Sequence, residues 1–172
     1  GGGSTEIVSF AGRAMQGRWS LPLGSLAMSK AHVAALLPTR EECRTIAAAV
    51  RSVLDEAPAV RDLRARHMVG MGGVLSSASR MHALLHPEET PRLLPADALP
   101  QMIAMFGSGR PLTEADTAVL LRAAPDRLHN IVPGMIIASV LAETFAAADI
   151  RYSDSGVREG YIWKEIIGAE QR

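Results

Sequence analysis

The hydrophobic and polar positions at the start of the chain have the pattern of two strands. The β-branched and aromatic residues of positions 5–11 predict a first strand. Positions 18–29 predict a second strand region, which is interrupted at Pro22 and Gly24. Because only residues 12–17 lie between them, we expect the two strands to form a hairpin.

The pattern then changes to helical spacing. Thr39-Arg40-Glu41-Glu42 has the Thr-x-x-Glu form of a capping box, which predicts the start of a helix. Apolar residues recur every three or four positions from Cys43 until Pro58. Cys43 lies on this apolar stripe, so we interpret it as a small core residue and not as a nucleophile.

Further periodic segments predict an alternation of helices and strands. The five prolines of residues 87–111 indicate an excursion on the surface, and Pro133 suits the first position of a buried helix. The remaining predicted elements are a strand at residues 65–69, helices at 74–85, 99–106 and 114–123, the buried helix at 135–147, a strand at 150–153 and a terminal helix at 157–167.

Composition limits the classes of function. The 172 residues, of which 48% are hydrophobic, fit one domain with a sizeable core. Eighteen basic and 18 acidic residues give a formal net charge of zero, so we expect neither a nucleic acid polymer nor a membrane as partner. The one cysteine excludes an internal disulfide and fits a reducing compartment, and no apolar run reaches about 20 residues. We therefore expect a cytoplasmic protein.

The candidate chemistry begins with the first six residues, Gly1 to Glu6. Three consecutive glycines allow positive φ angles, and their N–H groups can turn together around an anion. Ser4 would add a hydroxyl and Glu6 a carboxylate. The same glycines and serine are also typical of a flexible linker, and these residues alone do not separate the two interpretations.

Five motifs in order over nearly the whole chain resemble the exopolyphosphatase and guanosine pentaphosphatase (Ppx/GppA) family. Gly1-Gly2-Gly3-Ser4-Thr5-Glu6 is similar to the second half of its Asp-x-Gly-Gly-Gly-Ser-x-Glu phosphate loop. The other four are Ser20-Leu21-Pro22-Leu23-Gly24, Val69-Gly70-Met71-Gly72-Gly73-Val74, Val132-Pro133-Gly134-Met135-Ile136-Ile137 and Ser155-Gly156-Val157-Arg158-Glu159-Gly160. This agreement makes the linker interpretation a minor one.

The resemblance implies an actin-like, ribonuclease-H-like lobe with a mixed β-sheet and flanking helices. It implies the C-terminal lobe of a two-lobe phosphohydrolase, with the N-terminal lobe outside this chain. The expected reaction is hydrolysis of terminal phosphoanhydride bonds of inorganic polyphosphate or guanosine pentaphosphate, with Mg²⁺ as cofactor. Two such lobes could also pair across a homodimer.

The chemistry of phosphoanhydride hydrolysis assigns roles to the glycine turns. We expect backbone N–H groups of both turns, together with the helix N-terminus after the second, to hold the phosphate oxygens. The predicted phosphate-binding residues are Gly1, Gly2, Gly3, Ser4, Gly70, Gly72 and Gly73. Glu6 is the catalytic candidate, because an ionised carboxylate could hold Mg²⁺ through water or orient the attacking water. Since the family's base is a glutamate of the other lobe, we expect this chain alone to bind phosphate weakly without turnover.

Alternatives stay open. Met71 and Val74 stand where the family usually has threonines, which favours a relative that binds polyphosphate or an alarmone without cleaving it. A lobe of another actin-like kinase would use similar phosphate loops.

His82 and His86 have a spacing that can chelate zinc, but no third ligand is evident in the sequence, so we expect them on the solvated face of their helix.

Overall fold

A computed structural model describes residues 1–12 and 14–162 and begins with the expected hairpin. Strand β1 (Thr5–Ala11) pairs antiparallel with β2 (Ala14–Leu21), with a bulge between Ser9 and Phe10. The connection is shorter than the predicted turn over residues 12–17. Gly12 adopts a left-handed φ of +59°, and this sharp reversal lets pairing resume at Ala14.

A second, three-stranded sheet is mixed, as expected. It consists of β3 (His67–Gly70), β4 (Leu93–Pro95) and β5 (Asp149–Tyr152) in the order β3-β5-β4. The central strand β5 runs parallel to β3 and antiparallel to β4. The described residues form an α/β structure, and this sheet places the ends of β3 and β5 side by side.

The described helices pack against one another and against the three-stranded sheet. The predicted capping box is confirmed, since the Thr39 hydroxyl accepts from the Glu42 N–H and the Glu42 carboxylate accepts from the Thr39 N–H. In chain order the helices are α1 (Ser25–His32), α2 (Arg40–Asp55), α3 (Pro58–Arg61), α4 (Gly73–Leu85), α5 (Ala98–Phe106), α6 (Glu114–Ala123), α7 (Ile131–Phe145) and α8 (Val157–Ile162).

Helix α7 is the centre of the core. It is buried along nearly its whole length and packs against α1, α2, α4 and α5, as its apolar sequence predicts. It begins at Ile131, four residues before the predicted range 135–147, so Pro133 is its third residue and not its first. A proline is tolerated there because the first N–H groups of a helix have no partner within the helix.

Two sequence-based expectations, one about a strand and one about a surface segment, were wrong. Residues 25–29 form part of helix α1 and do not continue the second strand, because carbonyl groups of Gly1 and Gly2 accept from the N–H groups at the start of the helix. Residues 87–111 are not a surface excursion. The predicted helix at 99–106 is confirmed as α5, but it packs in the core and β4 joins the sheet, so Leu94, Leu99 and Phe106 are buried.

Two further predictions concern the histidines near the end of helix α4 and the extent of helix α8. His82 is buried, which contradicts the expected solvated position, while His86 is only half-buried. Residues 163–167 of the predicted terminal helix lie outside the described residues. Within the part of the chain that the structure describes, no helix has the length and apolar character needed to cross a bilayer.

Burial determines the chemistry of the single thiol. Cys43 packs on Gly107, and burial raises the pKa of its thiol to about 11. Because the thiolate is the reactive form, we expect native Cys43 to react with iodoacetamide about 100-fold more slowly than in the urea-unfolded chain. The folded-state pKa of Cys43 lies above the unfolded value, so burial of the neutral thiol contributes to the free energy of unfolding below about pH 9. This contribution is lost as pH rises towards 11. Equal labelling rates at pH 8 would contradict this assignment.

Candidate phosphate-binding site

The first glycine turn is held on the N-terminus of helix α1. The Gly1 carbonyl accepts from the Ser25 N–H at 3.1 Å, and the Gly2 carbonyl accepts from the N–H groups of Leu26 and Ala27, both at 3.2 Å. In a planar trans peptide the N–H points opposite to the carbonyl. The N–H groups of Gly2 and Gly3 therefore point away from α1, and both residues are exposed.

These two N–H groups have no hydrogen-bond partner among residues 1–12 and 14–162. The carbonyls beside them are already occupied, so the exposed side of the turn presents donors. Consecutive N–H groups arranged in this way can bind an anion. The contacts favour a working loop over a linker.

Gly24 makes this docking possible. A Cβ atom at Gly24 would lie 2.2 Å from the Gly2 carbonyl oxygen and 2.5 Å from the carbonyl carbons of Gly2 and Gly3. Such distances are far inside van der Waals contact, and the atoms concerned are backbone atoms that cannot rotate away. Gly24 was noticed in the sequence as part of a motif, but its contact with the glycine turn follows only from the fold.

Ser4 and Glu6 lie together beside the turn. The Ser4 hydroxyl donates to Glu6 Oε1 at 2.6 Å, and the Ser20 hydroxyl donates to the same oxygen at 3.4 Å. The hydrogen bond from Ser4 is the main cause of a Glu6 pKa below its ordinary value. The Ser4 proton is thus already shared with Glu6, so a phosphate oxygen would have to compete for it.

Removing the Ser4 hydroxyl should make Glu6 a weaker acid. We expect Ser4→Ala to raise the pKa of Glu6 towards its ordinary value, so that the carboxylate becomes protonated at a higher pH. The ¹³C chemical shift of the Glu6 carboxyl carbon, followed from pH 2 to 7, measures this pKa. Ser9→Ala on the same strand is the control, and identical titration curves for Ser4→Ala and the unaltered chain would refute the assignment.

The second glycine turn joins strand β3 to helix α4. Gly70 is buried in β3, where a Cβ atom would lie 2.3 Å from a methyl group of Leu75. Gly72 precedes α4 with a φ of +96°, and Gly73 is the first residue of the helix. No side chain of residues 1–12 or 14–162 caps α4, so its first N–H groups are available to an anion. Gly70 therefore shapes the turn, whereas Gly72 and Gly73 lie at its open end.

Arg127 is a site candidate that the sequence did not reveal. A Cβ atom at Gly73 would lie 2.3 Å from Arg127 Cζ, so the guanidinium lies directly on the start of α4. This half-buried side chain makes no hydrogen bond or ion pair with the described residues. It lines a cavity of about 140 Å³ with Gly73, Ser76 and neighbouring residues, including Asp126. Nothing in the local sequence separates Arg127 from an ordinary surface arginine.

A larger cleft of about 450 Å³ is also lined by Gly72 and Gly73. Its lining includes Met71, which is 56% exposed, and Glu159 near the chain end. Glu159 accepts a hydrogen bond from the Gly156 N–H at 2.6 Å. The cleft therefore combines backbone donors of the second turn with hydroxyl and carboxylate groups from the segment after β5.

Helix α7 connects the two glycine turns. A Cβ atom at Gly134 would lie 2.6 Å from both methyl carbons of Val74 and 3.1 Å from Ser25 Cβ. The buried Asn130 amide donates to the Ser25 hydroxyl at 3.3 Å. Ser25 contacts the first glycine turn, and Val74 follows the second. Contacts of these two residues with the start of α7 therefore fix both turns. The first turn itself lines neither of the two cavities.

The Glu6 carboxylate supplies one oxygen ligand of the kind that Mg²⁺ binds. Within the described residues, Glu6 belongs to no cluster of three histidine, cysteine or carboxylate side chains. Its Oε1 accepts two hydroxyl groups, while Oε2 has no described partner. One carboxylate suits Mg²⁺, which commonly takes its other ligands from water and substrate phosphates.

Comparison with known proteins identifies relatives of the whole chain. The family model described as the Ppx/GppA phosphatase family matches residues 1–167. Among solved structures, a Ppx/GppA family member from Aquifex aeolicus has a TM-score of 0.78 at 21% identity, covering 98% of this chain and 55% of that one. An exopolyphosphatase from Cytophaga hutchinsonii has a TM-score of 0.75 at 18% identity, covering 98% and 55%. No curated protein sequence gives a match.

These similarities establish the fold. At such identities they show the actin-like, ribonuclease-H-like architecture expected from the sequence. The chain spans little more than half the length of these proteins.

Proposed function

The chain belongs to the Ppx/GppA phosphatase family, and from this premise we propose that it is the phosphate-binding C-terminal lobe of a two-lobe phosphoanhydride hydrolase. Its substrate would be inorganic polyphosphate or guanosine pentaphosphate. The observation that carries the proposal is the pair of outward N–H groups at Gly2 and Gly3, fixed by the docking of their carbonyls on α1.

The first turn would bind the terminal phosphate. Hydrogen bonds between backbone N–H groups and an anion are charge-assisted and are stronger than those between neutral groups. The donors are fixed before the substrate arrives, so little ordering is needed on binding. With a formal net charge of zero, the chain needs such a local site to attract a polyanion.

The second turn would bind a phosphate further along the substrate. Arg127, Gly72 and Gly73 bring a guanidinium and unpaired N–H groups of α4 to one place. A guanidinium can donate two parallel hydrogen bonds to a phosphate. We assign Arg127 a binding role on this basis, and Gly70 the role of shaping the turn.

Glu6 would hold Mg²⁺ or orient water beside the terminal phosphate. Mg²⁺, when bound, neutralises negative charge on phosphate oxygens. The hydrogen bond from the Ser4 hydroxyl lowers the pKa of Glu6 and so favours its ionised form. A general base would come from a glutamate of the other lobe, so this chain alone would bind without catalysing hydrolysis.

Calorimetric titration with sodium tripolyphosphate in MgCl₂, together with a phosphate-release assay, tests the proposal. We expect saturable binding and no release of phosphate by the isolated chain. Arg127→Gln should weaken binding at least about tenfold, since a hydrogen bond to a charged group contributes about 1.5–3 kcal/mol. Arg122→Gln, which removes the same charge from α6, is the matched control.

The other outcomes of this test are informative. Equal affinities of the two arginine variants would reject the role of Arg127, and clear turnover by the isolated chain would reject the missing base. Tight binding of ATP, with phosphoryl transfer to a sugar, would favour a kinase lobe.

A further inference from the structure

We infer that His82, His86 and Glu89 form a binding site for a Zn²⁺-class metal ion at the C-terminal end of helix α4. This inference does not depend on the proposed phosphohydrolase activity. The site lies at the opposite end of α4 from Gly72 and Gly73, and the 13 residues of the helix span about 20 Å.

One carboxylate faces both imidazole rings. Glu89 Oε2 lies 3.5 Å from His82 Nε2, and Glu89 Oε1 lies 3.8 Å from His86 Nδ1. The ring centroids of His82 and His86 are 4.8 Å apart. The loop after α4 supplies the third ligand that the sequence alone did not show, because the Glu89 N–H donates to the His86 carbonyl and turns the chain back.

Neither distance is a hydrogen bond, and one ligand atom from each of His86, Glu88 and Glu89 lies within 4.8 Å of the other two, with His82 on the second oxygen of Glu89. Nitrogen or oxygen ligands at about 2.0–2.1 Å from tetrahedral zinc lie about 3.4 Å from one another. The side chains of His82, His86 and Glu89 make no hydrogen bond with the described residues. Small side-chain adjustments would therefore bring all three to one ion without breaking existing hydrogen bonds.

The charges around these side chains favour binding of a cation. The side chain of His82 is 7% exposed, so its Nε2 faces Glu89 from within the fold. Carboxylates of Glu88 and Asp97 add negative potential, and the site is at the negative end of the helix dipole. Glu88 Oε1, 3.9 Å from His86 Nδ1, could provide a fourth ligand.

The ligand types select the class of metal. Two imidazoles and a carboxylate suit Zn²⁺ and similar transition metals, whereas Mg²⁺ prefers oxygen ligands alone. The bound ion would join the last turn of α4 to the loop that leads into β4. We therefore expect it to stabilise this part of the fold.

Calorimetric titration of the EDTA-treated chain with ZnCl₂, in excess MgCl₂, tests the site. We expect one Zn²⁺ per chain, a rise in Tm on binding, and visible d–d absorption when Co²⁺ replaces Zn²⁺. His86→Gln and Glu89→Gln should each weaken Zn²⁺ binding at least about tenfold. Losing only a hydrogen-bond partner of a metal ligand typically lowers metal affinity by about 10–100-fold, and losing the ligand itself should cost no less. Both side chains are partly exposed, at 35% and 40%, so these variants should fold.

His129→Gln, which removes an exposed histidine elsewhere, is the matched control and should retain full affinity. Absence of a Zn²⁺ site in the unaltered chain would overturn the inference. Unchanged affinity in both the His86→Gln and Glu89→Gln variants would overturn it as well.

Discussion

Replacing Gly24 with alanine is expected to weaken tripolyphosphate binding at least about tenfold. The new methyl group would lie 2.2 Å from the Gly2 carbonyl oxygen, so the first glycine turn would have to leave the N-terminus of α1. The N–H groups of Gly2 and Gly3 would then lose their fixed direction. Loss of one charge-assisted hydrogen bond, about 1.5 kcal/mol, is about tenfold in affinity.

Gly160→Ala is the matched control, because a Cβ atom at Gly160 would meet nothing within 4 Å. We expect this variant to bind tripolyphosphate as the unaltered chain does. If Gly24→Ala also bound normally while its circular dichroism spectrum stayed native, the docking of the turn would not be needed for anion binding.

Gly134→Ala is expected to destabilise the fold at the junction of the two turns. A Cβ atom at Gly134 would lie 2.6 Å from both methyl carbons of Val74, whose β-branched side chain has few other rotamers. Overpacking of this kind costs about 1–3 kcal/mol, and the better helix propensity of alanine returns at most about 1 kcal/mol. The net loss should appear in the free energy of unfolding in urea.

The Val74→Ala background provides the control for this prediction. Removing the valine methyl groups leaves room for the new Cβ, so Gly134→Ala should be harmless or stabilising there. A double-mutant cycle then gives a favourable coupling energy between the two positions. If Gly134→Ala were as stable as the unaltered chain, the tight contact between α4 and α7 would not hold the turns together.

Local patterns predicted the elements that depend on neighbouring residues. The Thr39 capping box and the apolar stripe after it identified α2, and the nearly uniform apolar sequence around Met135 identified the buried α7. The hairpin of β1 and β2 was also predicted correctly. In these segments, the residues that form the sequence pattern lie within a few positions of the element that the pattern predicts.

Contacts between distant residues account for what the sequence could not predict. Helix α1 starts where it does because backbone carbonyls from Gly1 and Gly2 cap it, and backbone groups leave no signature in the sequence. Arg127 reaches Gly73 only through the packing of α6 against α4. His82 is buried, and the Glu89 carboxylate of the following loop lies 3.5 Å from its Nε2.

In the candidate site, too, the local sequence predicted some features, whereas others depend on contacts between distant residues. The glycine pattern predicted which residues would hold phosphate, and those assignments of Gly1 to Ser4 and of Glu6 remain predictions. The fold adds the direction of the N–H groups at Gly2 and Gly3, which depends on the docking against α1. It also shows Val74 turned towards Gly134, so a hydroxyl at this position would face α7.

The most direct test of the central proposal is a ¹H–¹⁵N NMR titration of the chain with sodium tripolyphosphate in MgCl₂. The proposal predicts that the amide signals of Gly2 and Gly3 move downfield and saturate together, because their N–H groups donate to phosphate oxygens. Saturable binding that leaves both signals unchanged, with all shifts elsewhere in the chain, would contradict it.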